Sequence, residues 1–505
     1  MATGLPVVGA RASAARQVGS VANSLASAAT PLSQLLPRFD KDAIAASGGR
    51  IDVAAVAALG PVLTTLATSA STATHDLADI DPAGLSAAQA DEIARLRTAL
   101  ADAEKPLRAA AAAVPLVAHL LGSTGPRTWF VALENLAEAR GTDGLVGAYA
   151  VLRTDAGKVT LVEASPRKIL DAGPVIPDQN LPTDFQQLWG ADATEWAGLN
   201  LSPHFPYTAQ LVLDGWKARG GAPLDGVIAL DQTVVAALLA GTGPITVRGV
   251  TVDSASAVKF LTEDIYARFP VVADKDAVVV ELVQSVFQKL SAGQVSLGPL
   301  VKALRRPISE GHFLVWSAHP DEQALLATYA VGGVLPDAAG PFAMAVVNNG
   351  GGNKLDAYTA VSVDYTRGAC SADGPTSTLR VTVTDKAPAS GLPAYVTGRL
   401  DLTDAEQASA PKGSTLVLLY LYGPVDSSIS ATTVDRHAVD VSEGLERGHP
   451  VWRVDLPLDP GQTSTVEVRM LEPFDTAATP APTVGIQPMS IPQTVAVHAG
   501  PTCTA

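Results

Sequence analysis

Apolar and polar positions alternate most clearly between residues 129 and 170. Trp129–Leu133 is an apolar run, Leu145–Leu152 is rich in small and β-branched residues, and Lys158–Glu163 alternates. Thr154–Gly157 supplies a turn between the second and third of these segments. The pattern therefore predicts three strands, of which the last two form a hairpin.

Residues 1–122 show a helical period in an alanine-rich background. Ser86 and Gln89 form a capping-box pattern, and apolar residues follow at three- and four-residue steps up to Lys105. Pro106 is expected to end or kink this helix. We predict a helical bundle or stalk over residues 1–122, serving either as a scaffold or as a membrane-proximal or partner-binding arm.

Residues 123–360 mix strand and helix patterns and predict a central α/β domain. Leu224–Leu230 is an apolar strand, Asp231 is placed to cap the helix that follows, and Gly241 and Gly243 are placed to end it. A helix predicted at Asp276–Leu290 carries a single apolar stripe.

From about residue 361 the pattern changes to short alternating runs separated by Pro- and Gly-rich turns. It predicts an antiparallel, immunoglobulin-like β-sandwich over residues 361–505. Cys370 and Cys503 lie near the two ends of this segment, so a disulfide between them would staple it. Two buried free thiols are the alternative. The whole chain is thus predicted to be a multidomain α+β protein.

The composition narrows the class of function. The 505 residues are 47% hydrophobic and 17% charged, with a net charge of −15 at pH 7. These values favour globular domains and argue against a nucleic-acid binder, which would present a basic face. The best candidate span, Ala109–Leu121, is shorter than the ~20 residues that cross a bilayer. No secretory signal begins at Met1, which is consistent with a trimmed N-terminus.

Charged residues gather where the predicted strands end. The loop after the first strand carries Arg140 and Asp143, and the third strand runs into Arg167. If the hairpin closes, these three residues meet at one edge of the sheet. Two cations and a carboxylate there suit a phosphorylated ligand with a divalent metal. A surface ion-pair network at the end of the hairpin is the alternative.

Five further residues are candidates for ligand binding. Lys168 directly follows Arg167. Asp264 and Arg268 lie four residues apart, which also fits an ordinary ion pair within a helix. Asn353 and Lys354 follow a glycine run whose backbone N–H groups suit a phosphate, although the run lacks the spacing of a nucleotide-binding loop.

Several enzyme classes lack their motifs in this sequence. The histidines of the central segment, His204, His312 and His319, do not have the spacing of a zinc site. The nucleophile elbow of serine hydrolases is absent. A glycosidase stays open, because its two carboxylates can come from distant parts of a chain.

The block EARGTDGLVG at 138–147 resembles the E-x-R-x-T-G-G-x-x-G block of a bacterial cell-envelope family, catalogued as domain of unknown function number four thousand and twelve. Blocks at 201–210, 225–244, 311–323 and 348–358 support the resemblance. This chain has Asp143 where that block has glycine. The resemblance implies an extracytoplasmic protein of the cell envelope, tethered to the plasma membrane by an N-terminal anchor.

The central blocks also resemble, more distantly, the LytR-CpsA-Psr phosphotransferases. Those enzymes hold a polyprenyl diphosphate in an apolar tunnel and, with magnesium, transfer its glycan phosphate to a wall acceptor. The resemblance implies a LytR-CpsA-Psr-like sheet in which Arg140 and Arg167 bind the diphosphate and Asp143 binds Mg²⁺. Lys168 stands where an aspartate is expected, and Arg268 stands alone where further arginines are expected. Both departures favour binding without catalysis.

Three functions remain as expectations. The first is metal-assisted transfer of a polyprenyl-diphosphate-linked glycan to a cell-wall acceptor. The second is a non-catalytic protein that binds glycan or lipid, or that scaffolds wall assembly. The third is a glycosidase acting on wall polysaccharide. The first requires a deep apolar groove ending at Arg140, whereas the second allows side chains to fill that groove.

Overall fold

The computed structural model describes residues 5–80, 85–337, 339–476 and 479–504. The chain forms two compact units. One comprises residues 1–127, 153–160 and 289–297, and the other comprises residues 128–152, 161–288 and 298–505. The expectation about the start of the chain at Met1 falls outside the described residues.

The first unit is helical, as the alanine-rich pattern predicts. The long helix α3 packs against both α1 and α4. Its buried face is formed largely by alanines such as Ala67, Ala70 and Ala73, whose small side chains allow close helix packing. The four helices are α1 (Leu5–Leu35), α2 (Lys41–Ala46), α3 (Val53–Ala78) and α4 (Ala87–Leu120).

The start of α4 is predicted correctly and its end is not. The Ser86 side chain accepts a hydrogen bond from the Gln89 backbone N–H. The Gln89 side chain in turn accepts one from the Ser86 backbone N–H, which completes the capping box. The helix does not end at Pro106. It continues through both Pro106 and Pro115 to Leu120. The alanine-rich turns on both sides favour the helix strongly enough to tolerate the lost N–H.

α3 corrects the expectation that no segment is suited to a bilayer. By length and apolar composition this helix could cross a membrane. A core helix of a soluble bundle passes the same test. Within the bundle α3 buries Ala70 and Leu77.

The second unit begins with the three predicted strands. They are β1 (Arg127–Ala139), β2 (Gly144–Asp155) and β3 (Lys158–Pro166), and β4 (Gly226–Leu230) is the predicted apolar strand. With β7 (Phe313–Ser317) they form a five-stranded sheet in the order β3-β2-β1-β4-β7. β4 pairs in parallel with β1 and antiparallel with β7, so it is flanked on both sides.

Helices cover this sheet because its central strands are apolar on both faces. Asp231 caps α8 (Gln232–Thr242), and Gly243 follows the last helical residue with φ 76°, as the sequence predicts. A π-helical turn spans Phe260–Asp264. The other helices of this region are α5 (Lys168–Asp171), α6 (Thr183–Trp189), α7 (Phe205–Ala218), α9 (Ala257–Lys259), α10 (Ile265–Arg268), α11 (Val272–Ser291), α12 (Leu297–Ser309) and α13 (Pro320–Leu326).

Two further sheets follow, one of six strands and one of five, and one core takes buried residues from both. The first has the order β13-β12-β16-β10-β9-β18 and the second β14-β15-β11-β8-β17. The strands are β8 (Phe342–Asn349), β9 (Thr359–Ser371), β10 (Gly374–Asp385), β11 (Thr415–Tyr422), β12 (Ser428–Val434), β13 (His437–Ala438), β14 (Ser442–Glu446), β15 (His449–Leu458), β16 (Thr463–Leu471), β17 (Thr483–Gly485) and β18 (Thr494–His498). A small hairpin, β5 (Ile245–Val247) with β6 (Val250–Val252), and two short helices, α14 (Ala394–Thr397) and α15 (Asp404–Ser409), complete the elements.

The C-terminal sheets reach back before residue 361. β8, which the sequence pattern places in the central domain, pairs with β11 from Val417 to Tyr422. The predicted disulfide is present, because Cys370 and Cys503 are bonded with their Cα atoms 5.5 Å apart. It ties the end of β9 to the residues that follow β18.

Candidate functional site

Neighbouring strands bring acidic and histidine side chains together at one end of the first sheet. Leu230 of β4 lies opposite both Leu133 of β1 and Phe313 of β7. Because β1 is parallel to β4 and β7 is antiparallel, the residues one step beyond this row lie at one level, just outside β4 and β7 and within the longer strand β1. These residues are Glu134, Asp231 and His312.

Asp143 joins them from the turn between β1 and β2. Arg140 and Asp143 each donate a backbone N–H to the other's carbonyl at 3.0 Å, which closes this turn tightly. Asp143, Asp231 and His312 each offer one ligand atom, and these atoms lie within 4.8 Å of one another. We refer to Glu134, Asp143, Asp231 and His312 as the acidic cluster.

The acidic cluster is buried, and only some of its carboxylate oxygens accept hydrogen bonds. One oxygen of Asp231 caps α8, and the other lies 2.7 Å from His312 Nδ1. Oε1 of Glu134 accepts a hydrogen bond of 2.9 Å from Asn200. In contrast, Oε2 of Glu134 and both carboxylate oxygens of Asp143 have no hydrogen-bond partner in the described part of the chain.

Burial and mutual repulsion oppose ionisation in the cluster. Burial raises the pKa of Glu134 to about 8, and the Asp231 carboxylate adds to the shift. Burial also raises the pKa of Asp143 well above its ordinary value, with repulsion from Asp231 and Glu134 adding to the effect. The carboxyl groups of the cluster can therefore be accommodated in two ways: protons neutralise them, or a bound cation balances their negative charge.

A cavity of about 70 Å³ adjoins the cluster between the sheet and α11. We call it the apolar cavity. Glu134 and Asp231 lie in its wall, together with Lys275 and Asp276 from α11. Its apolar lining consists of Leu133, Leu230, Val235, Leu261, Ile265, Val279, Leu282 and Val283.

A second cavity, of about 480 Å³, lies beside the 140–144 turn. Gly141 and Thr142 line it directly before Asp143 in the chain, and Glu310 and Gly311 line it directly before His312. The acidic cluster is thus connected through its neighbours to two separate hollows.

Arg140 is buried and already engaged. Its guanidinium donates to Glu138 Oε1 at 2.9 Å and to the carbonyls of Ala139 and Ala197 at 2.8 and 3.1 Å. Lys354 contacts the other oxygen of Glu138. Burial acts to raise the pKa of Glu138, but the cations of Lys354 and Arg140 outweigh it and hold that pKa below its usual value. Arg140 therefore belongs to a buried ion-pair triad with Glu138 and Lys354.

Arg167 lies at the same end of the hairpin as the 140–143 turn, because its backbone N–H donates to Gly147 at 3.1 Å. Its guanidinium pairs with Asp171 at 3.1 Å, one helical turn further on. Within the described residues, no hydrogen bond or ion pair joins the side chains of Arg140, Asp143 and Arg167. Arg140 and Arg167 thus take separate side-chain partners, Glu138 and Asp171.

The remaining candidates are dispersed. The ammonium of Lys168 lies 3.7 Å from a carboxylate oxygen of Asp276, and Asp276 forms part of the wall of the apolar cavity. Asp264 contacts Lys259, and Arg268 is exposed at the end of α10. Asn353 lies in a buried side-chain network with the neighbouring strand. Lys354 pairs with Glu138, and its ammonium lies 5.5 Å from the ring centre of Tyr395.

The sequence contained an unused signal for the acidic cluster. An aspartate stands at each end of β4, at Asp225 and Asp231, and a histidine stands just outside each end of β7, at His312 and His319. Antiparallel pairing of these strands necessarily brings each histidine to one aspartate. The strands are both short and apolar, but only the register shows that they are neighbours.

The family resemblance implies a magnesium ion bound by Asp143. Asp143, its expected ligand, has the unpartnered and buried oxygens of a carboxylate that lacks a counter-charge. The donor set therefore fits a divalent cation. A bound cation would supply positive charge for an anionic ligand group, and Asp143 with Asp231 would hold it.

Comparison with known proteins relates part of the chain to one family. Residues 124–266 match the family model described as Protein of unknown function (DUF4012). This stretch includes Glu134, Asp143 and Asp231 and ends before His312. No curated protein and no solved structure matches the chain. The central part of the chain is therefore related to a domain family without an assigned function.

Proposed function

We propose that this is a cell-envelope protein that binds a polyprenyl-diphosphate-linked glycan without transferring it, with part of the prenyl chain in the apolar cavity. The observation that carries the proposal is the position of that cavity. Its walls from Leu133 to Tyr266 belong to the stretch that matches the family model, α11 closes it from outside that stretch, and it lies next to the acidic cluster.

The size of the cavity sets how much of the ligand it takes. Its 70 Å³ corresponds to about five to seven water-sized groups, which is roughly one five-carbon isoprene unit. Burying five such carbons contributes about 4 kcal/mol, or roughly a thousandfold in affinity. The cavity thus anchors one segment of a chain and leaves the rest outside.

The charges favour binding over transfer. Lys275 in the cavity wall offers a cation to a phosphate, although it also contacts Asp276 at 2.8 Å. Arg140 and Arg167, which the transferase reading needs for the diphosphate, are committed to Glu138 and Asp171. Transfer stays the second candidate, and the unpartnered carboxylate of Asp143 favours it because a metal-dependent enzyme needs such a ligand.

An extracytoplasmic location agrees with two features. The disulfide between Cys370 and Cys503 is typical of oxidising compartments. α3 has the length and composition of a membrane anchor. The cell-envelope assignment itself comes from the family resemblance.

Calorimetry with farnesyl diphosphate and with farnesol tests the proposal. Val279→Phe fills the cavity from α11, and Val301→Phe on the exposed side of α12 is the matched control. We expect both probes to bind the native chain, Val279→Phe to lower the affinity at least tenfold, and Val301→Phe to leave it unchanged. Absence of binding, or equal affinity in the two variants, would overturn the proposal.

Turnover separates the two candidates. Farnesyl diphosphate is incubated with the native chain and with Arg140→Ala and Arg167→Ala, with and without magnesium, and phosphate release is measured. We expect no release under any condition. Magnesium-dependent phosphate release that both substitutions abolish would favour transfer as the function, in place of binding alone.

A further inference from the structure

We propose that Asp143, Asp231 and His312 form a binding site for one divalent first-row transition-metal ion. This inference does not rest on the proposed ligand of the apolar cavity. It adds two ligands, one of them a histidine, to the single aspartate that the sequence suggested.

The geometry of the three residues carries the proposal. Their ligand atoms lie within 4.8 Å of one another, and each residue is fixed by a different element. Asp231 is held by its cap on α8, His312 by the start of β7, and Asp143 by the tight turn after β1. Ligands held by separate rigid elements are preorganised, which is what a metal site requires.

Asp143 provides the second, independent observation. Its side chain is 1% exposed, and neither carboxylate oxygen has a hydrogen-bond partner among the described residues. A carboxylate in this position costs several kcal/mol of desolvation unless an opposite charge is close. Glu134 repeats the pattern beside it, because its Oε2 is also unpartnered.

The nearest cations do not supply that charge. Arg140 is adjacent in the turn, but its guanidinium donates to Glu138 and to two carbonyls. The carboxylates of Glu134, Asp143 and Asp231 therefore face one another, and the His312 imidazole lies 2.7 Å from Asp231. A divalent ion would balance two of the three charges.

The donor set selects the class of metal. Magnesium and calcium prefer ligand sets made entirely of oxygen, whereas imidazole nitrogen with carboxylate oxygen suits manganese, iron or zinc. Glu310, whose carboxylate lies 3.8 Å from His312 Nε2, is placed to orient the ring from the outside. The second cavity is lined by Thr142 and Gly311, the chain neighbours of Asp143 and His312.

The fold contains its own control for this site. At the other end of β4 and β7, Asp225 and His319 form a similar pair, 2.9 Å apart. That pair is partly exposed and has no third carboxylate within reach of the same point, judged on the described residues. His319→Gln therefore removes a histidine–aspartate pair without touching the proposed site.

The experiment uses the full chain, stripped with a chelator and returned to metal-free buffer. Zn²⁺, Mn²⁺ and Mg²⁺ are titrated separately by calorimetry into the native chain, Asp143→Asn, His312→Gln and His319→Gln. We expect one Zn²⁺ or Mn²⁺ per chain, bound more tightly than Mg²⁺. The affinity should fall at least tenfold in Asp143→Asn and in His312→Gln and stay unchanged in His319→Gln.

Pulsed electron paramagnetic resonance of the Mn²⁺-loaded chain provides a readout independent of affinity. The native chain and His319→Gln should show coupling to an imidazole nitrogen, and His312→Gln should lose it. No binding of Zn²⁺ or Mn²⁺, or equal binding in all variants, would overturn the site. Tighter binding of Mg²⁺ would overturn the assigned class of metal.

Discussion

Two buried charge clusters of the second unit have opposite internal balance. In the C-terminal sheets, Arg367 donates to Glu472 at 3.1 Å and to both oxygens of Asp475 at 2.9 and 3.0 Å. The Cys503 backbone N–H donates to Asp475 at 2.6 Å, next to the disulfide. All three charged side chains are buried, and all are paired. We call them the paired cluster.

The acidic cluster has the same degree of burial and no such pairing. Its carboxylates meet at the end of the first sheet, and three of their oxygens lack a partner in the described structure. In a buried ion network with good geometry and satisfied hydrogen bonds, the attraction between the charges offsets much of their desolvation cost. A buried, unsatisfied set of carboxylates is costly, and this cost points to a bound partner. The comparison separates a structural cluster from a candidate site.

Removing the cation of the paired cluster should have the largest effect. Arg367→Ala leaves Glu472 and Asp475 buried without a counter-charge, so we expect it to destabilise the chain by about 3–5 kcal/mol. Urea unfolding followed by circular dichroism measures the change. The matched control is Arg380→Ala on β10, whose exposed pair with Glu467 should contribute at most about 1 kcal/mol. Equal effects of the two substitutions would contradict the contrast.

Removing a carboxyl group from the acidic cluster should change the free energy of unfolding in the opposite direction. Asp143→Asn keeps the shape and removes a buried carboxyl group that the folded chain holds against ionisation, so we expect it to stabilise the chelator-treated chain at pH 8 by about 1–3 kcal/mol. The measurement is the unfolding free energy with chelator present. Adding Zn²⁺ should reverse the order, because only the native chain keeps all its metal ligands. A destabilised Asp143→Asn chain in chelator would show that the carboxylate already has a partner.

The pH dependence should appear as a shift of a few degrees in Tm. The pKa of Glu134 is about 8 in the folded chain and 4.5 in the unfolded chain, so the unfolded state releases its proton first as the pH rises. The contribution of Glu134 to stability is therefore greatest below pH 4.5 and is lost progressively up to about pH 8. Glu134→Gln, compared with the native chain in chelator, should gain relative stability across this range. A difference in Tm that stays constant from pH 5 to pH 8 would contradict the shift.

Local patterns in the sequence predicted the elements well. The capping box at Ser86, the strand before Asp231 and the cap that Asp231 itself provides all appear in the structure. The disulfide was predicted because its two cysteines lie near opposite ends of one segment. These features depend on neighbouring residues, or on a single pairing, and so can be inferred without a fold. The path of α4 through Pro106 was missed because the surrounding turns outweigh one lost hydrogen bond.

The composition of the candidate site could not be predicted in the same way. Asp143 was singled out from the sequence, but its expected partners Arg140 and Arg167 are bound to Glu138 and Asp171. Both competing carboxylates lie within four residues of their arginines. The choice between a local partner and a distant one depends on side-chain directions that spacing does not fix.

By itself the sequence determined the helices, the first hairpin, the alternating C-terminal strands and the cystine, because periodicity, capping and turn residues act over a few positions. Only the tertiary structure decided that Glu134, Asp143, Asp231 and His312 share one buried point. Their convergence depends on a parallel register on one side of β4 and an antiparallel register on the other. Registers arise from pairing between strands about 100 residues apart, so no stretch of the chain contains them.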